Sequence, residues 1–264
     1  MKVGLSTIIT PAAWTFDQIL EEAKQAGYEA VELCIRDEGD IRLDTCECEL
    51  RAMAERAAAA GIELVSLCPG VSKAPRDIMT NDMAVWTESI ETIKRCLQVT
   101  KALGVGTMLL TLGSLTDELY YNEAYANSLK ALQLLAPFAE ELEINIAIEY
   151  VWNKFLLSPM EFAHFCDDVA SPRVGLFFDT GNMVIFGFPQ HWVRICGKHL
   201  MMVHFKDFKR MMEWKPLLEG DVNFPAVMAE LRKIGYDGAL LSEVDPGLAS
   251  LEDTAAAIRK IMVM

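Results

Sequence analysis

The sequence lacks several features that would each point to a particular class of protein. It has no run of about 18 apolar residues, the minimum for a membrane-spanning helix. Its start, Met1-Lys2-Val3-Gly4-Leu5-Ser6, is strand-like rather than basic and then apolar, so no signal peptide is expected. Positive charge is scarce. The net charge is -14, which argues against a nucleic acid or an anionic membrane as partner. Cysteine occurs seven times without one Cys-x-x-Cys pair. That scatter predicts reduced, packing cysteines in a cytoplasmic protein. Cys46 and Cys48 would face different sides of a helix, against a soft-metal pair. No Pro- or Ser-rich linker divides the chain, and no repeat stands out in its sequence.

What is present is a regular alternation. Short apolar runs, read as buried parallel strands, fall at 2–8, 29–35, 62–68, 106–112, 144–150, 174–179, 201–206 and 238–244. Helical stretches lie between them, the longest at about 80–103 and 122–142. Thr15-Phe16-Asp17-Gln18 forms a capping box, and Ser158-Pro159-Met160-Glu161 combines a cap, a first-turn proline and an acid. Gly27, Gly61, Gly104 and Gly235 stand where helices should stop. Phe16, Ile19, Leu20 and Ala23 share one face of the first helix. Eight strand–helix units in 264 residues predict one (β/α)8 TIM barrel domain over 1–264, since that fold needs about 250 residues. A doubly wound sheet is the alternative.

Four of the runs end in side chains able to ligate a metal: Glu149, Asp179, His204 and Glu243. Singly, each has a plainer explanation. An Asp at a strand end caps a helix, a His in Val-His-Phe bonds within the core, and a Glu pairs with a nearby Lys. Together, on four successive strands whose C-terminal ends form the active face of a barrel, they predict one divalent-metal site. Burying such groups is costly unless they are paired or bound to a cation. Three carboxylates and an imidazole suit Mn²⁺ best, with Mg²⁺ or Co²⁺ as alternatives. Glu149 and Glu243 lie on the fifth and eighth strands and can flank a substrate from two sides. Two carboxylates beside a metal-bound ketone fit proton abstraction and return.

The segments Ile148-Glu149-Tyr150 through Ser158-Pro159, Phe178-Asp179-Thr180-Gly181-Asn182, Val203-His204-Phe205-Lys206-Asp207 and Leu218-Glu219-Gly220-Asp221-Val222-Asn223-Phe224-Pro225 resemble the sugar isomerase/epimerase superfamily with the xylose-isomerase-like barrel. The resemblance covers essentially the whole chain and is strongest from about 145 to 246. Ketose 3-epimerases, hydroxypyruvate isomerase, inosose dehydratase and endonuclease IV share that barrel. It implies that Glu149, Asp179, His204 and Glu243 hold one ion and that the two glutamates move the protons. The implied activity is epimerisation of a ketose or keto-sugar acid, at C3, through an enediolate. An inosose-type dehydratase or a hydroxypyruvate-type isomerase is the alternative. A non-catalytic partner subunit is disfavoured because all four ligand types are kept.

The chain departs from the family's epimerases at three positions. Asn182 stands where many have His, Tyr150 where Asn or Pro is usual, and Phe155 where several have a second Glu. Endonuclease IV chemistry needs more histidines than His164, His191, His199 and His204 provide. Around the site, Arg210 and Lys206 are expected to hold the far end of an acidic, unphosphorylated substrate. Asn182 is expected to bond a hydroxyl, and Trp152 or Trp14 to wall the pocket. Glu32 is expected to support the site or to pair with Arg36. Partners are then a small sugar or keto-sugar acid and a second copy of the chain in a homo-oligomer.

Overall fold

The computed structural model describes residues 1–209 and 213–264. Eight parallel strands close into a barrel: β1 (Lys2–Ser6), β2 (Ala30–Ile35), β3 (Glu63–Pro69), β4 (Thr107–Leu110), β5 (Asn145–Glu149), β6 (Val174–Asp179), β7 (Leu200–Phe205) and, last in the chain, β10 (Ala239–Ser242). Neighbours in sequence are neighbours in the barrel, and β10 closes it against β1. Strands β8 (Asp207–Lys209) and β9 (Glu213–Lys215) form a separate antiparallel hairpin directly after β7, pairing Phe208 with Trp214. The expected run 174–179 coincides with β6, every other expected run overlaps its barrel strand with at most three of its residues outside, and the doubly wound alternative is excluded by closure.

Helices α1 (Phe16–Gln25), α2 (Glu47–Ala60), α3 (Met83–Ala102), α4 (Tyr121–Leu142), α5 (Pro159–Val169), α6 (Thr180–Val184), α7 (Pro189–Cys196), α8 (Phe224–Lys233) and α9 (Leu251–Met262) fill the connections. Their ends follow local chemistry. Thr15 and Gln18 form the capping box that starts α1, and Ser158 accepts the Glu161 N–H at the start of α5. Gly61 ends α2 in the left-handed region at φ 78°, a conformation that costs glycine little. Helix α1 turns Phe16, Leu20 and Ala23 onto the barrel. Full burial of a large apolar side chain contributes roughly 1.5–3 kcal/mol.

The period of two along each strand divides the core. Val31, Leu33 and Ile35 of β2, Ile146 and Ile148 of β5, and Leu176 and Phe178 of β6 belong to the outer core under the helices. Ala30, Leu109, Ala147, Phe177, Met202, Ala239 and Leu241 pack together as a second cluster, which fills the barrel interior. The inward parity therefore carries Ala147 to Glu149, Phe177 to Asp179, Met202 to His204 and Leu241 to Glu243. No described helix is long and apolar enough to cross a membrane.

One expectation is corrected here. Cys46 and Cys48 are joined in a disulfide instead of being two reduced thiols. The helix-face argument fails because Cys46 is the cap of α2, in extended backbone at φ -68° and ψ 149°, and is not itself a helical residue. Cys34, Cys68, Cys96, Cys166 and Cys196 are free.

Candidate metal centre

The rims of β5, β6, β7 and β10 bring Glu149, Asp179, His204 and Glu243 together. One ligand atom from each lies within 4.8 Å of all the others. Asp179 and His204 are fully buried. Register explains the convergence: Asp179 sits beside His204 across β6–β7, and Leu241 beside His204 across β7–β10, so that Glu243 emerges one inward step higher.

Each side chain is oriented by the groups around it. Asp179 uses Oδ1 to cap α6, accepting the Asn182 N–H at 2.8 Å. Its Oδ2 is left facing the cluster. The helix cap and the ligand are thus the same residue. His204 Nε2 lies 2.8 Å from Glu32 Oε1, so the imidazole donates there and presents Nδ1 to the carboxylates. Glu32 also accepts the Ser6 and Ser66 hydroxyls at 2.6 Å and 2.7 Å. Of the two expectations for Glu32, support of the site is what the structure shows. Arg36 donates instead to the Thr7 and Thr10 carbonyls. Asn182 donates Nδ2 to Glu149 Oε1 at 2.9 Å, so its amide positions Glu149.

Lys206 enters from the exit of β7. Its ammonium lies 3.1 Å from Asp179 Oδ2 and 3.0 Å from Glu243 Oε2, close enough for ion pairing but out of hydrogen-bond alignment. Its side chain is largely buried, beside the cluster and not at a far end of the site. Asp179 Oδ2, His204 Nδ1 and Glu243 Oε2 are buried without an aligned hydrogen bond, facing one another and the Lys206 ammonium, with His204 Nδ1 3.1 Å from Glu243 Oε2. Buried polar atoms without aligned hydrogen bonds are costly to keep. Three of them on one cluster, with carboxylate and imidazole donors, fit a divalent cation.

The charge balance supports the same reading. Burial is the strongest influence on Asp179 and lifts its carboxyl to about 8, with Glu243 and Glu149 adding to the rise and Lys206 and His204 opposing it. On Glu243 burial also acts upward, but Lys206 and His204 more than reverse it and bring the group to about 2. Burial alone would discharge His204 and Lys206. The carboxylates around them outweigh it, and both pKa values are raised. Carboxylates gathered this closely favour positive charge among them, which His204 and Lys206 supply in part.

A cavity of about 510 Å³ opens beside the cluster, lined by Ile9, Lys206, Trp214, Glu243, Val244 and Leu248 among others. The ring lining it is Trp214, on the β8–β9 hairpin. Trp152 stacks on Trp214 at 5.2 Å, with ring planes 10° apart, and donates its indole N–H to the Asn182 carbonyl at 3.1 Å. Trp152 thus backs the wall. Trp14 lines a different cavity with Arg36 and Asp40. Arg210 lies outside the described residues.

Two features were not anticipated from sequence. Asp207, given no role of its own from the sequence, is buried and accepts backbone N–H groups from Phe208, Leu218, Gly220 and Val222, tying the hairpin to the segment before α8. Trp214 was also missed, because residues 208–216 show no period of two or 3.6. Glu32, Ser6 and Ser66 were more accessible to sequence reasoning, since all three fall on inward positions of their strands.

A closed parallel barrel with chemistry gathered at the C-terminal rim is the architecture of an enzyme. Residues 20–261 match the model of the xylose isomerase-like TIM barrel family, and the chain belongs to that family. An L-ribulose 3-epimerase of Methylomonas sp. (strain DH-1) is 30% identical over 244 residues, covering 86% of this chain and 80% of that protein. The L-ribulose-5-phosphate 3-epimerase UlaE of Salmonella paratyphi C (strain RKS4594) is 24% identical over 272 residues, covering 98% and 92%. Among solved structures, a D-psicose 3-epimerase crystallised in the presence of D-fructose aligns with a TM-score of 0.80 at 21% identity over 99% of both chains. The IolI protein with a bound zinc atom aligns with a TM-score of 0.78 at 20% identity, over 100% of this chain and 97% of that one. These two structures share the fold.

Proposed function

We propose that this enzyme is a metal-dependent ketose 3-epimerase, acting on a ketose or keto-sugar acid. The observation that carries the reading is the pair Glu149 and Glu243, which approach one ligand cluster from β5 and β10. The relatives named as ribulose 3-epimerases support it.

Glu149, Asp179, His204 and Glu243 would hold the ion, and Mn²⁺ suits this donor set. When bound, the ion supplies Lewis-acid polarisation of the substrate ketone. The protein's own groups do the rest. One glutamate takes the proton from the carbon next to the ketone, leaving an enediolate. The other returns a proton to the opposite face, and the stereocentre inverts. Asn182 fixes the Glu149 carboxylate, and the Lys206 ammonium keeps Glu243 ionised and able to accept a proton. Lys206 would touch the substrate near the reacting carbons, and Arg210 its far end. Trp214, backed by Trp152, would cover its C–H face. The protein would work in the cytoplasm.

The reading is tested by incubating Mn²⁺-loaded protein with ketopentoses and ketohexoses in D₂O. Both C3 epimers with deuterium at C3 support it. Loss of water from the substrate would support a dehydratase instead.

A further inference from the structure

Opposite the ligand cluster, the barrel wall is made by β2 and β3. Cys34 and Cys68 face each other there in direct register across the parallel ladder. Adjacent strands run about 4.8 Å apart, and disulfides span Cα separations of about 4.4–6.8 Å. Paired residues on neighbouring strands thus fall within the Cα range that a disulfide spans. Both follow the inward parity that also carries Ala30, Glu32 and Ser66, and both pack with the barrel-interior cluster. Both are free thiols. Gly70 lies two residues after Cys68, its N–H bonded to the Ile35 carbonyl at 2.8 Å. A β-carbon at that position would collide with the Cys34 sulfur, so the glycine leaves the sulfur room.

We propose that Cys34 and Cys68 form a reversible dithiol–disulfide site in the wall of the barrel mouth, oxidised by hydrogen peroxide. The two sulfurs are unequal. The hydrogen bond from Cys68 is the largest influence on Cys34 and lowers its pKa, assisted by Arg36 and Arg76. Cys68 is buried and raised well above the usual thiol range. Cys34 is therefore the attacking thiolate and Cys68 the resolving thiol. Cys34 is also the more exposed of the two. A cavity of about 30 Å³ borders it between Thr7, Thr10, Leu33 and Arg36, room for about two water-sized groups.

The chemistry balances. The Cys34 thiolate attacks the peroxide O–O bond, an S–OH bond forms, and the departing hydroxide takes the proton that Cys34 released and leaves as water. Cys68 then attacks the Cys34 sulfur. The S–O bond breaks, and the second oxygen leaves as water with the Cys68 proton. Two electrons pass from the thiols to the peroxide.

The test uses the full chain, treated with a small excess of hydrogen peroxide. Remaining thiols are blocked with iodoacetamide, and the protein is digested without reductant for mass spectrometry. The expected product is a Cys34–Cys68 cross-linked peptide pair, two hydrogens lighter than the reduced pair and restored by dithiothreitol. It should form before Cys96, Cys166 or Cys196 reacts. Without peroxide, iodoacetamide should label Cys34 at least about tenfold faster than those three, which follows from its larger thiolate fraction. In Cys34→Ser, Cys68 should stay reduced under the same treatment. The proposal is overturned if wild-type Cys34 and Cys68 both remain alkylatable after peroxide, or if Cys34 proceeds to sulfinic acid with no cross-link. The wild-type measurement decides the matter even if the serine variant misfolds.

Discussion

The His204 imidazole and the Glu32 carboxylate meet at 2.8 Å inside the barrel, both with no solvent exposure. This contact orients the ring so that Nε2 faces Glu32 and Nδ1 faces the ligand cluster. Outer partners of this kind hold the ring and raise its basicity as a ligand.

Glu32→Gln should therefore weaken Mn²⁺ binding by about 10–100-fold, the usual cost of losing such a partner, although Glu32 is not itself a ligand. Titration calorimetry of the metal-free variant measures this. Affinity equal to wild type would mean that Glu32 only satisfies Ser6 and Ser66.

His204→Ala and Asp179→Ala should each abolish stoichiometric Mn²⁺ binding while the far-ultraviolet circular dichroism spectrum stays close to wild type. The ligands stand on the rim, and the interior cluster below them supports the strands without them. Full metal occupancy in either variant would place the ion elsewhere.

Glu149→Gln and Glu243→Gln keep an oxygen donor and lose the proton acceptor. Turnover should fall by about 10²–10⁴-fold in each, with a smaller change in metal affinity. Calorimetry and steady-state kinetics on the same preparations separate the two effects. Wild-type turnover in both variants would remove the two-base mechanism.

Trp214→Ala takes away the ring that lines the cavity, its stack with Trp152 and its contact with the Lys206 ammonium at 5.2 Å. Aromatic pairs contribute about 0.5–1.5 kcal/mol beyond the area they bury. KM for a ketose substrate should rise several-fold, with kcat less affected. An unchanged KM would mean that the ring packs the hairpin without touching substrate.

The barrel and the positions of its strand ends were readable because the signals are local and periodic. Apolar runs mark strands buried on both faces, and caps such as Thr15 and Ser158 mark helix starts. The four cluster residues stood out because each ends such a run. Their internal division of labour did not. That Asp179 caps α6 with one oxygen and faces the cluster with the other depends on a rotamer. That Lys206 turns inward and Asn182 bonds Glu149 depends on side chains meeting across strands. The Cys46–Cys48 disulfide was missed because one residue of extended backbone at a helix start changes which way a side chain points. The role of Trp214 follows from how the β8–β9 hairpin folds back on Trp152, a contact between residues some sixty positions apart in sequence.

The central claim is that two glutamates at a metal site invert a carbon next to a ketone. The most direct measurement is NMR of a ketose incubated in D₂O with Mn²⁺-loaded wild-type protein, the metal being removed by chelation before the spectra are recorded. The account predicts deuterium at C3 in both epimers, and no exchange in protein stripped of metal before the incubation. Epimerisation that retains the original proton at C3, or exchange at full rate without metal, would contradict it.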